Sequence, residues 1–390
     1  MDINGEVQDY VQVEVNSNES TSLASDGHET KMSPPPPHAD HTYTMASIPS
    51  TPAAEPVDAA VQVEVGTHAA IKIHLRAMTR DIILTDDGSV RFYTGLPSKD
   101  TLVTIFDIIK KRVTTINYWR GAKYASKGVH CHGPSGHMKI IDHFDEYLLT
   151  LVYMRRGFTR HSLSDFFGVS QRTITCITTT WISVLFEIMK NWLLWPSAQE
   201  VRNSLPKNFP PQYADTRVIL DCTEFYHVKP KNCTAQASTY SQYKHQNTVK
   251  VMIGITPRGL ITFVSQPYGG NTSDRHIAEK EILDKVEPGD AVMVNRGFNI
   301  GDLLLQRGAK LYIPFTRKTE DGKGRALNQS EILKTREITS LRIHVERAIQ
   351  RMKTFRILTK KMSFNLWPLL HQILFIIAFF CNLQPPLLKH

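Results

Sequence analysis

Asp221 closes the apolar run Val218-Ile219-Leu220. A carboxylate beside a core is costly unless it is paired or binds a cation. Carboxylate oxygens are hard donors that suit Mg²⁺. Two-metal phosphoryl transfer needs such oxygens, from separate elements, to converge on ions about 3.5–4 Å apart. Strand ends are the natural sources, because their side chains emerge into a shared crevice. Glu346 is the second candidate. On a helix over 342–353, Val345, Ala348, Ile349 and Met352, with Phe355 beyond, fall on one apolar face, and Arg342, Glu346, Lys353 and Arg356 form a stripe beside it. That sets an acid at the edge of the core, among cations suited to phosphates. The same spacing also allows a plain Arg342–Glu346 i,i+4 ion pair on a solvated face, worth roughly a few tenths of a kcal/mol. His130, Cys131, His132 and His137 invite a zinc reading. Their crowded spacing and the Gly133-Pro134 break favour a flexible loop instead.

The elements that must position these residues can be sketched from periodicity. Strands are expected at Val218–Leu220, Val249–Ile255, Leu260–Val264, Ala291–Val294 and Lys310–Pro314. Helices are expected at Ser273–Lys285, with Ser273 as cap, near Ile300–Gln306, and from Arg342 to Lys353. Three strands, a helix and a further strand give an α+β or α/β sheet. Phe364 to Leu383 forms a long apolar helix, read as core packing over the sheet, with a homo-oligomer contact as the alternative.

Before the sheet, residues 144–195 are helical. Phe144, Leu148, Leu151 and Val152 recur at helical spacing. Gly168 suits the turn after one helix and Ser170 the N-cap of the next, which carries Ile174, Ile177 and Trp181 on one face. Helix, glycine turn and capped helix is the helix-turn-helix pattern. Gln171, Arg172 and Thr173 would stand at the N-terminal end of its second helix, where base contacts are made. An ordinary helical hairpin, or a unit for protein contacts, has the same pattern. Ser98 could cap a further helix from Lys99 towards Val113.

The 390 residues carry 46 Lys and Arg against 37 Asp and Glu, a net charge of +9. Residues 1–66 hold eleven acids and one base, Lys31, so the rest of the chain stands at +19. A basic body behind an acidic tail points to a polyanionic partner, nucleic acid above all. Residues 1–70, with four consecutive prolines (Pro34–Pro37) and few large apolar side chains, are expected to be disordered. The pentamer VQVEV occurs twice, at Val11–Val15 and Val61–Val65, too few copies for a repeat architecture. Five cysteines without a C-x-x-C pair exclude a disulfide scaffold. Ile373 to Cys381, the greasiest run, is shorter than the roughly 20 residues a bilayer requires. No secretory leader opens the chain. An intracellular, reduced, soluble protein without a membrane partner is therefore expected.

Several motifs follow one another in order: Asp221-Cys-Thr-Glu-Phe225, Tyr240-Ser-Gln-Tyr-Lys244, Thr248-Val-Lys250, Gly254-Ile-Thr-Pro-Arg-Gly259, Tyr268-Gly-Gly-Asn-Thr-Ser-Asp274, Gly289-Asp290, Arg296-Gly-Phe298 and Val345-Glu-Arg347. Together they resemble the DDE-superfamily transposases of the Harbinger-like group, over about residues 144–383. The resemblance implies an α/β fold with an RNase H-like mixed sheet and flanking helices, preceded by a small all-α helix-turn-helix domain and the disordered N-terminal tail. Together with the composition of residues 1–140, it divides the chain into a tail (1–70), a poorly defined linker or helical segment (71–140), a helix-turn-helix DNA-binding domain (141–200) and a nuclease domain (215–385). It further implies three acids holding divalent cations (Mg²⁺ or Mn²⁺), hydrolytic cutting of DNA strands, strand transfer, and a nuclear location that follows from the DNA substrate.

Carried over residue by residue, the first acid falls on Asp221 and the third on Glu346. The second, which the family places before Arg-Gly-Phe, is Asn295 in this sequence. An amide oxygen can coordinate a cation but brings no charge, so metal binding and catalysis are expected to be impaired. A DNA-binding protein that has lost the chemistry is the alternative. Asp290 would begin the strand that ends near Asn295, too far away to substitute, and Asp274 is expected to serve a helix N-terminus. DNA contacts are expected from Gln171, Arg172, Thr173, Arg342, Lys353 and Arg356.

Overall fold

The structure, a computed structural model, describes residues 80–113, 115–119, 141–317, 324 and 326–387. The acidic tail, both VQVEV copies and the His130–His137 segment lie outside these residues.

After a helical turn at 80–83 come two helices, α1 (Asp87–Thr94) and α2 (Lys99–Arg112). Both are capped as their sequences dictate. Asp86 accepts from Ser89 N–H and Gly95 ends α1 in the left-handed region, while Ser98 accepts from Thr101 N–H at the start of α2. Helix α1 was not expected from periodicity. The all-α region continues through α3 (His143–Arg156), α4 (Arg160–Phe167) and α5 (Gln171–Met189), then the short α6 (Ala198–Asn203). Gly168, with φ 64°, makes the turn between α4 and α5. Ser170 caps α5 through Thr173 N–H, and Ile174, Ile177 and Trp181 are buried as expected.

The sheet is mixed and seven-stranded. Its strands are β1 (Thr216–Tyr226), β2 (Tyr240–Ser241), β3 (Gln246–Ile255), β4 (Ile261–Val264), β5 (Tyr268–Gly269), β6 (Ala291–Met293) and β7 (Lys310–Tyr312). Strand β1 is central. It runs antiparallel to β3, with Asp221 opposite Ile253, and parallel to β6, with Ile219 opposite Met293. Strand β7 continues the parallel half, while β2, β5 and β4 pair with successive stretches of β3. Helices α7 (Cys233–Thr239), α8 (Asp274–Glu281), α9 (Gly301–Gln306), α10 (Gln329–Lys353) and α11 (Leu370–Asn382) complete the RNase H-like layout.

Alternation along β1 and β3 sorts side chains onto two faces. Ile219, Phe225, Val249, Val251 and Ile253 join one core with α10, α11 and the all-α region. Val218, Leu220 and Met252 join a second core with α8 and α9. The helix-turn-helix therefore shares its apolar core with one face of the sheet. Phe364–Asn382 is long and apolar enough by composition to cross a membrane, further than the Ile373–Cys381 run suggested. In the fold it is a 3₁₀ segment followed by α11, and Ile373, Leu374, Ile376, Ile377 and Phe380 pack into the first core.

Two elements are longer than the patterns implied. Strand β1 runs five residues past Asp221, so Asp221 is a mid-strand residue and not a strand end. Helix α10 begins at Gln329, behind a capping box in which Asn328 and Glu331 satisfy each other's backbone N–H groups.

The Gly269-Gly270 pair has a steric cause. A Cβ at position 269 would stand 2.2 Å from the Ser238 carbonyl oxygen, and one at 270 would stand 2.1 Å from Thr248 Oγ1 and 2.8 Å from the Thr239 carbonyl oxygen. The end of α7 and strand β3 close on this site, and Gly270 N–H donates to Thr248 O. Gly269→Ala is expected to lower stability by about 2–3 kcal/mol in a urea titration, because the clash is with backbone that cannot swing away.

Candidate active site

Asp221 stands on the first-core face of β1, its side chain 18% exposed. The alternation that aims Ile219 and Phe225 into that core aims Asp221 the same way. Burial raises its carboxyl to about 6, with nearby Glu346 and Asp274 adding to the rise, while Arg342 and the Cys222 backbone N–H oppose it.

Helix α10 lies across this face, with Val345, Ala348, Ile349 and Met352 buried beneath it. Arg342 and Glu346 project one turn apart towards Asp221. A single guanidinium nitrogen, Arg342 Nη2, lies 4.0 Å from Asp221 Oδ1 and 3.7 Å from Glu346 Oε1. The two acids, 125 positions apart in the chain, thus share one cation. Their oxygens lie no further apart than those two distances combined, a span within reach of a metal pair about 3.5–4 Å apart. The Arg342 side chain is only 4% exposed, and its Nε and Nη2 make no hydrogen bond among the described residues. Burial pulls its pKa down while Asp221 and Glu346 push it up. The i,i+4 ion pair is therefore present, but as one arm of a three-residue cluster. Arg342 corrects an expectation here: it is buried and aimed at the acids, so it is not on the surface as a DNA contact. The stripe reading placed it at the helix edge, and the sheet covers that edge.

Asn295 follows β6, two residues past Met293. Carrying the parallel register on by two residues brings it level with Asp221, and Met293 and Ile219 share the first core. Asn295 is exposed. Its Oδ1 accepts from Arg296 N–H at 2.8 Å, and Gly297 turns the chain with φ 97°. No hydrogen bond or ion pair joins Asn295 to Asp221 or Glu346.

The other carboxylates stand apart. Asp274 is the first residue of α8, behind the cap Ser273, and pairs with Lys250 Nζ at 3.2 Å on the second-core face of the sheet. It hydrogen-bonds to Cys222 there, and with burial it holds the Cys222 thiol well above its usual value. Asp290 is buried before the start of β6, accepts from Glu287 N–H at 3.0 Å and lies 3.6 Å from Arg217. Asp274 is near enough to raise the Asp221 carboxyl but is held by Lys250 and Cys222 on the other face of the sheet, and Asp290 is held by Glu287 N–H and Arg217 at the opposite end of β6.

Around the acids, Lys353 is half-buried, its Nζ 5.8 Å from the centre of the Phe225 ring. Burial and Lys244 lower its pKa, and Asp221 and Glu224 oppose them. Arg356 is exposed in the turn after α10, and Gln171, Arg172 and Thr173 are exposed on the first turn of α5. Thr173 is partly engaged, because its hydroxyl lies 2.8 Å from Ser170 Oγ. Sequence reasoning missed the position of Arg342 between the acids. Its spacing of four residues from Glu346 was the available signal.

In kind, the donors fit a divalent cation: two carboxylates and an amide oxygen, all hard ligands. In charge they fall short. The Arg342 guanidinium cancels one carboxylate, Asn295 adds nothing, and the amide oxygen is already held by Arg296. Among the described residues no group of three His, Cys, Asp or Glu side chains converges.

Residues 220–382 match the family model described as DDE superfamily endonuclease, and residues 139–191 match that described as the helix-turn-helix of DDE superfamily endonuclease. No curated protein and no solved structure matches the chain significantly.

Proposed function

We propose that this chain, which carries a DDE superfamily endonuclease domain behind the helix-turn-helix of that superfamily, is a transposase-derived DNA-binding nuclease. Its metal-dependent phosphodiester hydrolysis and strand transfer are impaired by Asn295. One observation carries the reading: Asp221 and Glu346 meet at a single guanidinium, while Asn295, just past the end of the neighbouring strand and level with Asp221 if its register is carried on, offers a neutral amide. The order of the motifs supports the Harbinger-like group within the superfamily.

Asp221, Asn295 and Glu346 are the residues that would hold Mg²⁺ or Mn²⁺. Bound there, such ions supply activation of the attacking oxygen and stabilisation of the leaving oxygen in an in-line displacement. The chain's own residues set how well this can occur. Asp221 and Glu346 supply the anionic oxygens. Arg342 holds their carboxylates towards one point and offsets part of their charge. Asn295 leaves the third corner uncharged, and a misplaced reacting group costs on the order of a hundredfold or more. Exposed Gln171, Arg172 and Thr173 meet base edges, and Lys353 and Arg356 meet phosphates. The DNA substrate places the protein in the nucleus, without a membrane partner, and a second copy of the chain would supply the paired action that joining two DNA ends requires.

The hydrogen bond from Arg296 N–H to Asn295 favours a second reading, a DNA-binding protein in which the chemistry is lost altogether. Supercoiled plasmid with Mn²⁺, together with duplex binding by fluorescence anisotropy, separates the two. Slow nicking by the natural chain, abolished in Asp221→Ala with duplex binding unchanged, supports the nuclease reading. Duplex binding with no nicking selects the second. A chain that binds no duplex overturns both.

A further inference from the structure

The last turn of α3 carries Arg155 and Arg156, and the turn after α10 presses directly on it. Arg356 N–H donates to Arg155 O at 3.0 Å and Ile357 N–H to Met154 O at 3.2 Å. Gly157, in the left-handed region at φ 59°, makes this approach possible, since a Cβ there would meet the Arg356 backbone carbon at 3.1 Å. Lys360 Nζ then donates to Gly157 O at 2.7 Å. Four cationic side chains are thereby gathered from segments about 200 positions apart.

These cations are held in place but not neutralised. Arg155 lies over the Phe355 ring at 4.9 Å and also donates to the Thr354 hydroxyl. Arg156 lies over the Phe92 ring at 3.7 Å, and its buried Nε has no hydrogen-bond partner. None of the ion pairs among the described residues includes Arg155, Arg156, Arg356 or Lys360. Burial lowers the pKa of Arg155 and Arg156, and Arg356 lowers both further. Like charges pressed together without a counter-ion raise the energy of the free protein. Guanidinium groups fixed by aromatic stacking are preorganised for bidentate contact with phosphate. The seam also adjoins the helix-turn-helix, since α4 begins at Arg160.

We propose that Arg155, Arg156, Arg356 and Lys360 form a phosphate-backbone site for duplex DNA. It is separate from the base-reading end of α5 and indifferent to sequence. The proposal rests on the DNA-binding reading above and adds to it where the backbone is held. Arg156, Arg356 and Lys360 make the phosphate contacts, and Arg155 braces the seam.

The test uses the full chain and fluorescein-labelled duplexes of several unrelated sequences, with anisotropy measured across a salt series. Each phosphate contact contributes about 0.9 to the slope of log K against log salt. The double variant R156Q/R356Q is expected to shallow that slope by about 2 and to weaken every duplex alike. Should the double variant fail to fold by circular dichroism, K360Q, at an exposed position, is expected to shallow it by about 1. A natural chain that binds duplex with a slope unmoved by these changes overturns the backbone site but leaves the DNA-binding reading standing. A natural chain with no duplex affinity overturns both. In Arg172→Ala, discrimination between sequences is expected to change and the loss is not uniform, which sets the two surfaces apart.

Discussion

Asn295→Asp is expected to raise Mn²⁺-dependent nicking of supercoiled plasmid by about a hundredfold or more over the natural chain. The argument is one of charge and position. Asp221 and Glu346 face Arg342 Nη2 at 4.0 and 3.7 Å, so the crevice holds two anions against one buried cation. The change at 295 doubles the net negative charge where a cation must sit, with almost no change of shape. The new carboxylate must leave the Arg296 N–H that now holds the amide oxygen. That bond lies on an exposed turn, so little opposes the release. Adding Asp221→Ala to the gain-of-charge variant is expected to return nicking to background. Equal nicking by the natural chain and Asn295→Asp would show that position 295 takes no part in the chemistry.

The largest expected effect on folding is at Glu146. This α3 residue is 4% exposed, and its Oε2 accepts from Trp181 Nε1–H at 2.9 Å and from the Tyr118 hydroxyl at 2.6 Å. Burial and Glu146 together push the Tyr118 hydroxyl far above its ordinary pKa, so it remains a donor. One carboxylate thus ties the 115–119 segment and α5 to α3, under the helix-turn-helix. Glu146→Ala leaves two donors facing a cavity and removes hydrogen bonds to a charged acceptor. The expected loss is about 3–4 kcal/mol in urea unfolding. Glu146→Gln keeps one acceptor oxygen and is expected to lose about half as much. An alanine variant as stable as the natural chain would show that this buried network contributes nothing.

Much of the architecture was legible because local signals and tertiary packing agree. Ser170, Gly168 and the Ile174–Trp181 stripe wrote the turn and its second helix plainly. The strands with continuous apolar runs, such as Val249–Ile255, were readable for the same reason. The apolar pattern of β1 stops at Asp221 because Cys222, Thr223 and Glu224 do not continue it, although pairing with β3 carries the strand on to Tyr226. What stabilises that half is the ladder, and a ladder partner 22–30 positions away leaves no trace in the local pattern. Helix α1 and the first turns of α10 were missed for the opposite reason. Asp86, Gly95 and the Asn328…Glu331 box are readable caps, but the residues behind them lack a strong apolar stripe.

The candidate site was legible as three residue types, and its geometry was not. Helical phase placed Arg342 and Glu346 on one stripe, but not which of them the sheet would cover. The result is asymmetric: Arg342 is 4% exposed and Glu346 55%. Parallel pairing of β1 with β6, which brings Asn295 level with Asp221, is a property of the sheet order alone. The seam of Arg155, Arg156, Arg356 and Lys360 depends likewise on the docking of two distant turns.

Cation binding by the purified chain tests the central claim most directly, without recourse to activity or DNA. Mn²⁺ titrated against the full chain, with the free ion followed by electron paramagnetic resonance, is expected to show weak binding that Asp221→Asn and Glu346→Gln each reduce about tenfold or more, and that Asn295→Asp tightens by a similar factor. Binding that ignores all three substitutions would contradict the gathering of positions 221, 295 and 346 into one cation-holding crevice.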